Sequence, residues 1–305
     1  MVRLPNLIIP GVGKAGTTSL FWYLSQHPDI CPSAVKEPRY FAPIMLEEPL
    51  GPLEDYVRHF TGCGDQRYVL EASPQYFHGG KPMIEAIREV LGEPRVLVVF
   101  RDPIDRLWSS YRFAKTRLRL PSTETFERYL AACERIRADR PPRTRENRPF
   151  WTLAGGFYVD YLGDWLEAFE DRLRVVFAEH VAENPKEEVA ELCKWLDIDD
   201  RGVAHFDYAV ENRTVMFRSR TLQRLALALN SERLLRQQRW LKRPLRRIYY
   251  AVNRAPREER MDPEIRRRLE ETYAKANREL AAQLHRRGYE RLPAWLEAGV
   301  SHGRR

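Results

Sequence analysis

No window of about eighteen consecutive apolar residues occurs in the 305-residue sequence, so no segment is expected to span a bilayer. The opening residues, MVRLPNLIIPG, have no charged lead, long apolar stretch or cleavage site, and a secretory leader is not expected. Cysteine is scarce. Cys31, Cys63, Cys133 and Cys193 are widely spaced and form no CxxC pair. That spacing argues against a structural zinc site or a disulfide framework, and for a reducing, cytoplasmic setting. No internal repeat is visible. The aromatic or glycine-rich readout motifs of a nucleic-acid-binding protein are also missing, so nucleic acid is not expected as a partner.

Charge is present, and it is local. Between Arg213 and Arg260 stand fourteen Arg or Lys against Glu232, Glu258 and Glu259, a net +11 in a chain whose total is +8. The rest of the sequence is therefore close to neutral, and the basic stretch marks a surface or a site.

Apolar runs alternate with amphipathic ones. Asn6–Gly11 (NLIIPG), Arg67–Ser73 (RYVLEAS), Arg95–Pro103 (RVLVVFRDP) and Leu173–His180 (LRVVFAEH) read as strands; the third is an unbroken apolar run, as a strand buried on both faces should be. Helices are expected at TTSLFWYLSQH, PMIEAIREVLG, IDRLWSSYRFAKTR, YVDYLGDWLEAFED and PKEEVAELCKWLD, with a last one from Asp262 to Gly288. Pro28 to Pro52 and residues 138–150 read as loop. The order predicts an α/β fold, P-loop-like and three-layered, with a mainly parallel sheet covered by helices on both faces. One domain over residues 1–305 is expected, with a basic helical insertion at about 213–260.

The first strand runs directly into a glycine turn, GVGKAGTT, and then a helix. Gly11, Gly13 and Gly16 permit tight turns, and the amides opening the helix converge on one spot suited to an anion. Lys14 adds a positive charge there. The spacing of Gly11 and Gly16 fits G-x-x-x-x-G, but a nucleotide P-loop would follow it with Lys and Ser/Thr, where Thr17 and Thr18 stand. A P-loop kinase-like phosphotransferase is the alternative reading. It also needs a magnesium-holding acid at the end of an apolar strand, and RVLVVF ends on Arg101. Anion binding without a metal is the expectation. Arg101 at a strand's C-terminal end, with Ser109 eight residues on, makes a receptor for a phosphate monoester.

Together GVGKAGTTSL and FRDPIDRLWSSY resemble the two cofactor motifs of sulfotransferases that use 3′-phosphoadenosine 5′-phosphosulfate (PAPS). The likeness is closest to the heparan-sulfate type, the N-deacetylase/N-sulfotransferase and 3-O-sulfotransferase group. HPDI, KEPRYF, ASPQYF, GGFYVDYLGDWLEAF and LAAQLHRRGYERLPAWL carry it further, over about residues 1–212 and 261–297. The resemblance implies PAPS as co-substrate with no metal. It implies that Lys14, Ala15, Gly16, Thr17 and Thr18 hold the 5′-phosphosulfate, and that Arg101 and Ser109 hold the 3′-phosphate. Glu37 of KEPRYF corresponds to the base that takes the acceptor proton, flanked by Lys36 and Arg39 as substrate-binding residues. Lys14 meets the phosphosulfate and is the second catalytic residue. His27 is the other candidate base; before Pro28 at a helix end, it reads first as a cap or a packing residue.

Three departures bear on the acceptor more than on the cofactor. Ala72 stands where heparan-type members have a lysine. Arg218–Ser219–Arg220 occupies roughly the place of a KGR cofactor motif, in a stretch without the group's cysteines. No membrane anchor is visible. A glycan, a glycolipid or a small natural product remains as acceptor. Leu222, Leu225, Leu229, Leu234, Leu235, Trp240 and Leu241 fall at rough helical spacing in the basic insertion. That segment reads as a lid over the cofactor with contact to a membrane surface, or as a leucine-packed helical pair with solvated arginines outside.

Overall fold

In the computed structural model residues 3–209, 216–231, 249, 252–253 and 260–297 are described. Five strands form one parallel sheet: β1 (Leu7–Gly11), β2 (Ile30–Pro32), β3 (Tyr68–Ala72), β4 (Arg95–Phe100) and β5 (Leu173–Phe177), in the order β2-β3-β1-β4-β5. Register runs Leu7 to Leu70 on one side of β1 and Leu7 to Arg95 on the other. Every residue of β1 and β3 is buried, and so is every residue of β4 after Arg95. Two layers of helices cover the faces, which is why these strands carry apolar runs instead of alternation.

The helices are α1 (Thr17–Leu24), α2 (Leu53–Val57), α3 (Gly80–Leu91), α4 (Pro103–Thr116), α5 (Phe126–Asp139), α6 (Val159–Phe169), α7 (Ala178–Glu183), α8 (Pro185–Leu196), α9 (Arg220–Ser231), α10 (Pro263–Arg286) and α11 (Ala294–Glu297). Pro103 and Pro263 stand in the first turns of α4 and α10, where a missing N–H costs nothing. Each is preceded by an aspartate whose carboxylate accepts from the first-turn amides: Asp102 from Ile104 at 2.7 Å, Asp262 from Glu264 at 2.8 Å. A main core of sheet and flanking helices includes Ile9, Phe21, Val98, Trp165 and Leu280, all at most 1% exposed. A second core joins α4, α5 and α10 through Tyr111, Tyr129 and Tyr273.

The chain leaves β1 toward β2 and β3 on one side and returns to β4 on the other. The crevice beyond the C-terminal ends of β1, β3 and β4 is thus the switch point, where ligands of such sheets bind.

Three sequence expectations are corrected. Cys31 and Cys63 form a disulfide, with Cα atoms 5.6 Å apart, while Cys133 and Cys193 are buried free thiols. The pairing arises because β2 and the turn ending at Phe60 lie side by side, with the Ala34 N–H donating to the His59 carbonyl at 2.8 Å. The expectation of a reducing compartment rested on the absence of such a bond and loses that ground. The fourth predicted strand stops at Phe177; Ala178–Glu183 turns into α7. The Pro28–Pro52 loop contains β2, which pairs with β3 from Ile30 to Tyr68. Most of the basic insertion, including Leu234, Leu235, Trp240 and Leu241, lies outside the described residues. Among the described residues no helix is long and apolar enough to cross a membrane.

Candidate active site

The glycine turn is folded back against the sheet. The Val12 N–H donates to the Val99 carbonyl at 2.9 Å, and the Ala15 N–H to the Val12 carbonyl at 3.3 Å. Gly16 sits at the N-cap of α1 with φ 83°, and a Cβ there would meet nothing within 4 Å, so glycine is required by the backbone and not by crowding. No side chain caps α1. Its first-turn amides, at Thr17 and Thr18, therefore point out of the helix without an intrahelical acceptor. Thr17 is buried, and Thr18 is half-buried.

Lys14 takes a left-handed conformation, φ 71°, and its ammonium lies 4.3 Å from the centre of the Phe113 ring on α4. Burial is the main reason its pKa falls to about 8; the charges of Arg101, Arg117 and Arg112 lower it further, and Glu37 opposes them. Arg101 leaves the end of β4 and donates from Nη1 to the Lys14 carbonyl at 3.2 Å, which ties the strand end to the turn. The Tyr158 hydroxyl fixes the Arg101 backbone by donating to its carbonyl at 2.8 Å. Ser109 is half-buried on α4, four residues before Phe113 and so on the same helix face. Lys14, Arg101, the open start of α1 and the Ser109 face of α4 thus come together at one cationic corner.

Glu37 comes to this corner from the loop after β2. It stands at φ 65° and Arg39 at φ 62°, two non-glycine residues in the left-handed region within three positions. Lys36 Nζ donates to Glu37 Oε1 at 3.3 Å, and Arg39 Nε donates to Oε2 at 3.0 Å. The Arg39 N–H donates to Ser73 Oγ at 3.1 Å, which pins the loop to the turn after β3. Partial burial acts to raise the Glu37 pKa; the Lys36 charge and the Arg39 hydrogen bond outweigh it and hold the carboxyl below its usual range. A deprotonated carboxylate, a nearby desolvated ammonium and an open helix start can accept a proton and bind an anion at adjacent points.

A family model described as the sulfotransferase domain matches residues 4–280. The chain belongs to that family. It is similar to the membrane-associated sulfotransferase kil1 of Dictyostelium discoideum, 32% identical over 117 residues, 37% of this chain and 24% of that protein. It is also similar to the human bifunctional heparan sulfate N-deacetylase/N-sulfotransferase 3, 23% identical over 68% of this chain and 23% of that protein. The chain spans about a quarter of the length of these curated relatives. A sulfotransferase from Alicyclobacillus acidocaldarius has the same fold: TM-score 0.68, 24% identity, covering 96% of this chain and 99% of that one.

Other sulfotransferase residues singled out from the sequence lie elsewhere. His27 is 4% exposed and both ring nitrogens are engaged: Nδ1 accepts from the Asp29 N–H at 3.0 Å, and Nε2 donates to the Asp199 carbonyl at 2.6 Å. Both contacts are to backbone groups, as a packing residue makes them. Arg218, Ser219 and Arg220 lead into α9, and their described contacts run to Asn253, through the Arg218 and Ser219 N–H groups, and to the Leu120 carbonyl from Arg220 at 3.3 Å. With Gln223 donating to the Thr116 carbonyl at 2.6 Å, they dock on the C-terminal end of α4, one turn past Phe113.

Glu71 escaped the sequence reading. It is fully buried on β3, its Oε2 accepts from the Tyr56 hydroxyl, and its Oε1 has no hydrogen-bond partner among the described residues. Burial raises its pKa, against hydrogen bonds from Ser73, Tyr56 and Tyr76 and the charge of Lys36. Its one visible signal was a carboxylate inside an otherwise apolar strand.

Proposed function

We propose that the chain transfers the sulfuryl group of PAPS to a hydroxyl, or an amine, of a carbohydrate, glycolipid or small natural-product acceptor. The observation that carries this reading is the meeting of Lys14, Arg101 and the uncapped start of α1 at one corner, with Glu37 beside it. Those groups fit an anionic nucleotide, since they offer oriented N–H donors and cations with no acid of their own except Glu37. PAPS, when bound, supplies an activated sulfuryl group joined to a phosphate. The amides of Lys14 to Thr18 and the Lys14 ammonium would hold the 5′-phosphosulfate and stabilise charge growing on its phosphate oxygen; one such donor is worth roughly 10²–10³ in rate. Arg101 and Ser109 would hold the 3′-phosphate, and Arg218, Ser219 and Arg220 would close over the nucleotide. Glu37 takes the acceptor's proton, while Lys36 and Arg39 orient the acceptor. Family membership favours this reading over a kinase. The described Leu222 and Leu225, 40% and 57% exposed, support contact with a membrane surface.

Calorimetry with 3′-phosphoadenosine 5′-phosphate (PAP), with and without chelator, tests the cofactor. Binding that chelation leaves intact is expected. Equal or tighter binding of ATP with magnesium would restore the kinase reading.

A further inference from the structure

Two parts of the basic insertion, 34 residues apart in sequence, meet at one buried asparagine. Asn253 is 1% exposed, and both ends of its side chain are engaged. Oδ1 accepts from the Ser219 N–H at 2.7 Å, while Nδ2 donates to the Ser219 carbonyl at 3.3 Å and to the Tyr249 hydroxyl at 2.9 Å. The Asn253 carbonyl accepts from the Arg218 N–H at 2.8 Å. A carboxamide can face a backbone N–H and a backbone C=O together because it carries both an acceptor and a donor. Ser219 is also where α9 starts: its Oγ accepts from the Leu222 N–H at 3.4 Å, and its carbonyl accepts from the Gln223 N–H at 3.1 Å. Asn253 thereby fixes the entry to α9. From there the hydrogen bonds lead to α4. The Tyr249 hydroxyl, held by Asn253, donates to Gln223 Oε1, and Gln223 Nε2 donates to the Thr116 carbonyl at 2.6 Å. Thr116 lies one turn past Phe113, the ring against which the Lys14 ammonium rests at 4.3 Å. Arg220 Nη2 adds a bond to the Leu120 carbonyl at 3.3 Å.

The chain of contacts runs unbroken from one buried amide to the helix end beside the cationic corner. We propose that Asn253 is a positioning residue of the cofactor site: with Tyr249 and Gln223 it latches the Arg218–Arg220 segment to the end of α4, in the arrangement that lets its guanidiniums meet the nucleotide. The proposal rests on the reading of Arg218, Ser219 and Arg220 as residues that close over PAPS. A segment free to leave that arrangement binds only for the fraction of time it spends there, and the apparent affinity falls by the same fraction. Asn253 itself touches no ligand; it acts through Arg218 and Arg220.

The test is a calorimetric titration of PAP into the full chain and its variants. Asn253→Ala should weaken PAP at least about tenfold, as loss of one or two net hydrogen bonds from a segment that must be ordered to bind would do. Gln223→Ala, at a half-buried helical position that alanine suits, should weaken it several-fold while leaving Asn253 in place. Arg218→Ala/Arg220→Ala should weaken PAP by itself. Adding Asn253→Ala to that pair should cost nothing further, because a positioning residue has no effect once the residues it positions are gone. A residue that only supports the fold would lower the melting temperature and weaken PAP by the same factor in both backgrounds. Full additivity, or unchanged affinity in both Asn253→Ala and Gln223→Ala, would therefore overturn the proposal. Should Asn253→Ala fail to fold, Gln223→Ala in the same two backgrounds decides it. If Arg218→Ala/Arg220→Ala leaves PAP binding intact, the latch falls and the cofactor reading stands. If PAP does not bind the unsubstituted protein, both fall together.

Discussion

At Glu37 the backbone and the side chain are both constrained. A carboxylate-bearing residue at φ 65° costs energy that the surroundings must offset, and here Lys36, Arg39 and Ser73 do so. Glu37→Gln keeps the shape and most of these hydrogen bonds but removes the basic site. Turnover should fall by roughly two orders of magnitude or more, with PAP affinity unchanged and the melting temperature lowered only slightly, since the ion pairs lost are partly exposed. Unfolding of this variant would show that the ion pairs serve the fold instead. Because the folded pKa is depressed, the stability Glu37 contributes is present above the ordinary carboxylate pKa and is lost as pH falls through the folded value. Arg101 separates cofactor reading from scaffolding. Arg101→Ala should weaken PAPS strongly yet leave adenosine 5′-phosphosulfate, which lacks the 3′-phosphate, nearly unaffected; equal loss in a binding titration would make the residue structural. Lys14, Arg101 and Glu37 were legible because each sits in a short motif whose spacing has a mechanism or a family likeness. Glu71 was marked only by its charge in an apolar strand, because its partner Tyr56 comes from another segment, which no local pattern records.

Among the elements, β1, β3 and β4 were legible as apolar runs, since a strand buried on both faces needs nothing else. β2 was hidden because three residues, Ile30–Pro32, flanked by prolines carry no periodicity. α7 follows β5 without a break, so the apolar-to-polar change at Ala178 reads as the strand continuing. The disulfide was invisible for a related reason: it depends on where the chain returns 32 residues later. That bond closes the segment carrying Lys36, Glu37 and Arg39. Chain-entropy arguments put its contribution at about 3–4 kcal/mol for a loop of this length. Cys31→Ser/Cys63→Ser should lower the melting temperature and speed hydrogen exchange across residues 33–60, with slower exchange in β4 unaltered. Unchanged exchange there would mean that the aromatic anchors Phe41, Tyr56 and Phe60, each at most 1% exposed, hold the loop unaided.

At the scale of the whole molecule, the half-buried Lys14 is the cation of the proposed site whose charge responds to pH near neutrality. Its pKa near 8 lies below that of a lysine in the unfolded chain. The unfolded state therefore binds more protons between about pH 8 and 10.5, and this residue's share of stability rises with pH over that window. A nucleotide phosphate placed beside the ammonium should restore its proton. At pH 8 roughly half of the free protein carries Lys14 neutral, so each PAP bound should draw about half a proton from the buffer. The phosphates of PAP contribute little there, being about two units above their second pKa. Binding enthalpies measured at pH 8 in HEPES and in Tris, whose ionisation heats differ, should then diverge. Lys14→Met should remove the divergence. The cradle proposed to grip an anion would also, through one desolvated amine, be a sink for a hydrogen ion, so that a fall in pH from 8 toward 7 loads it more readily.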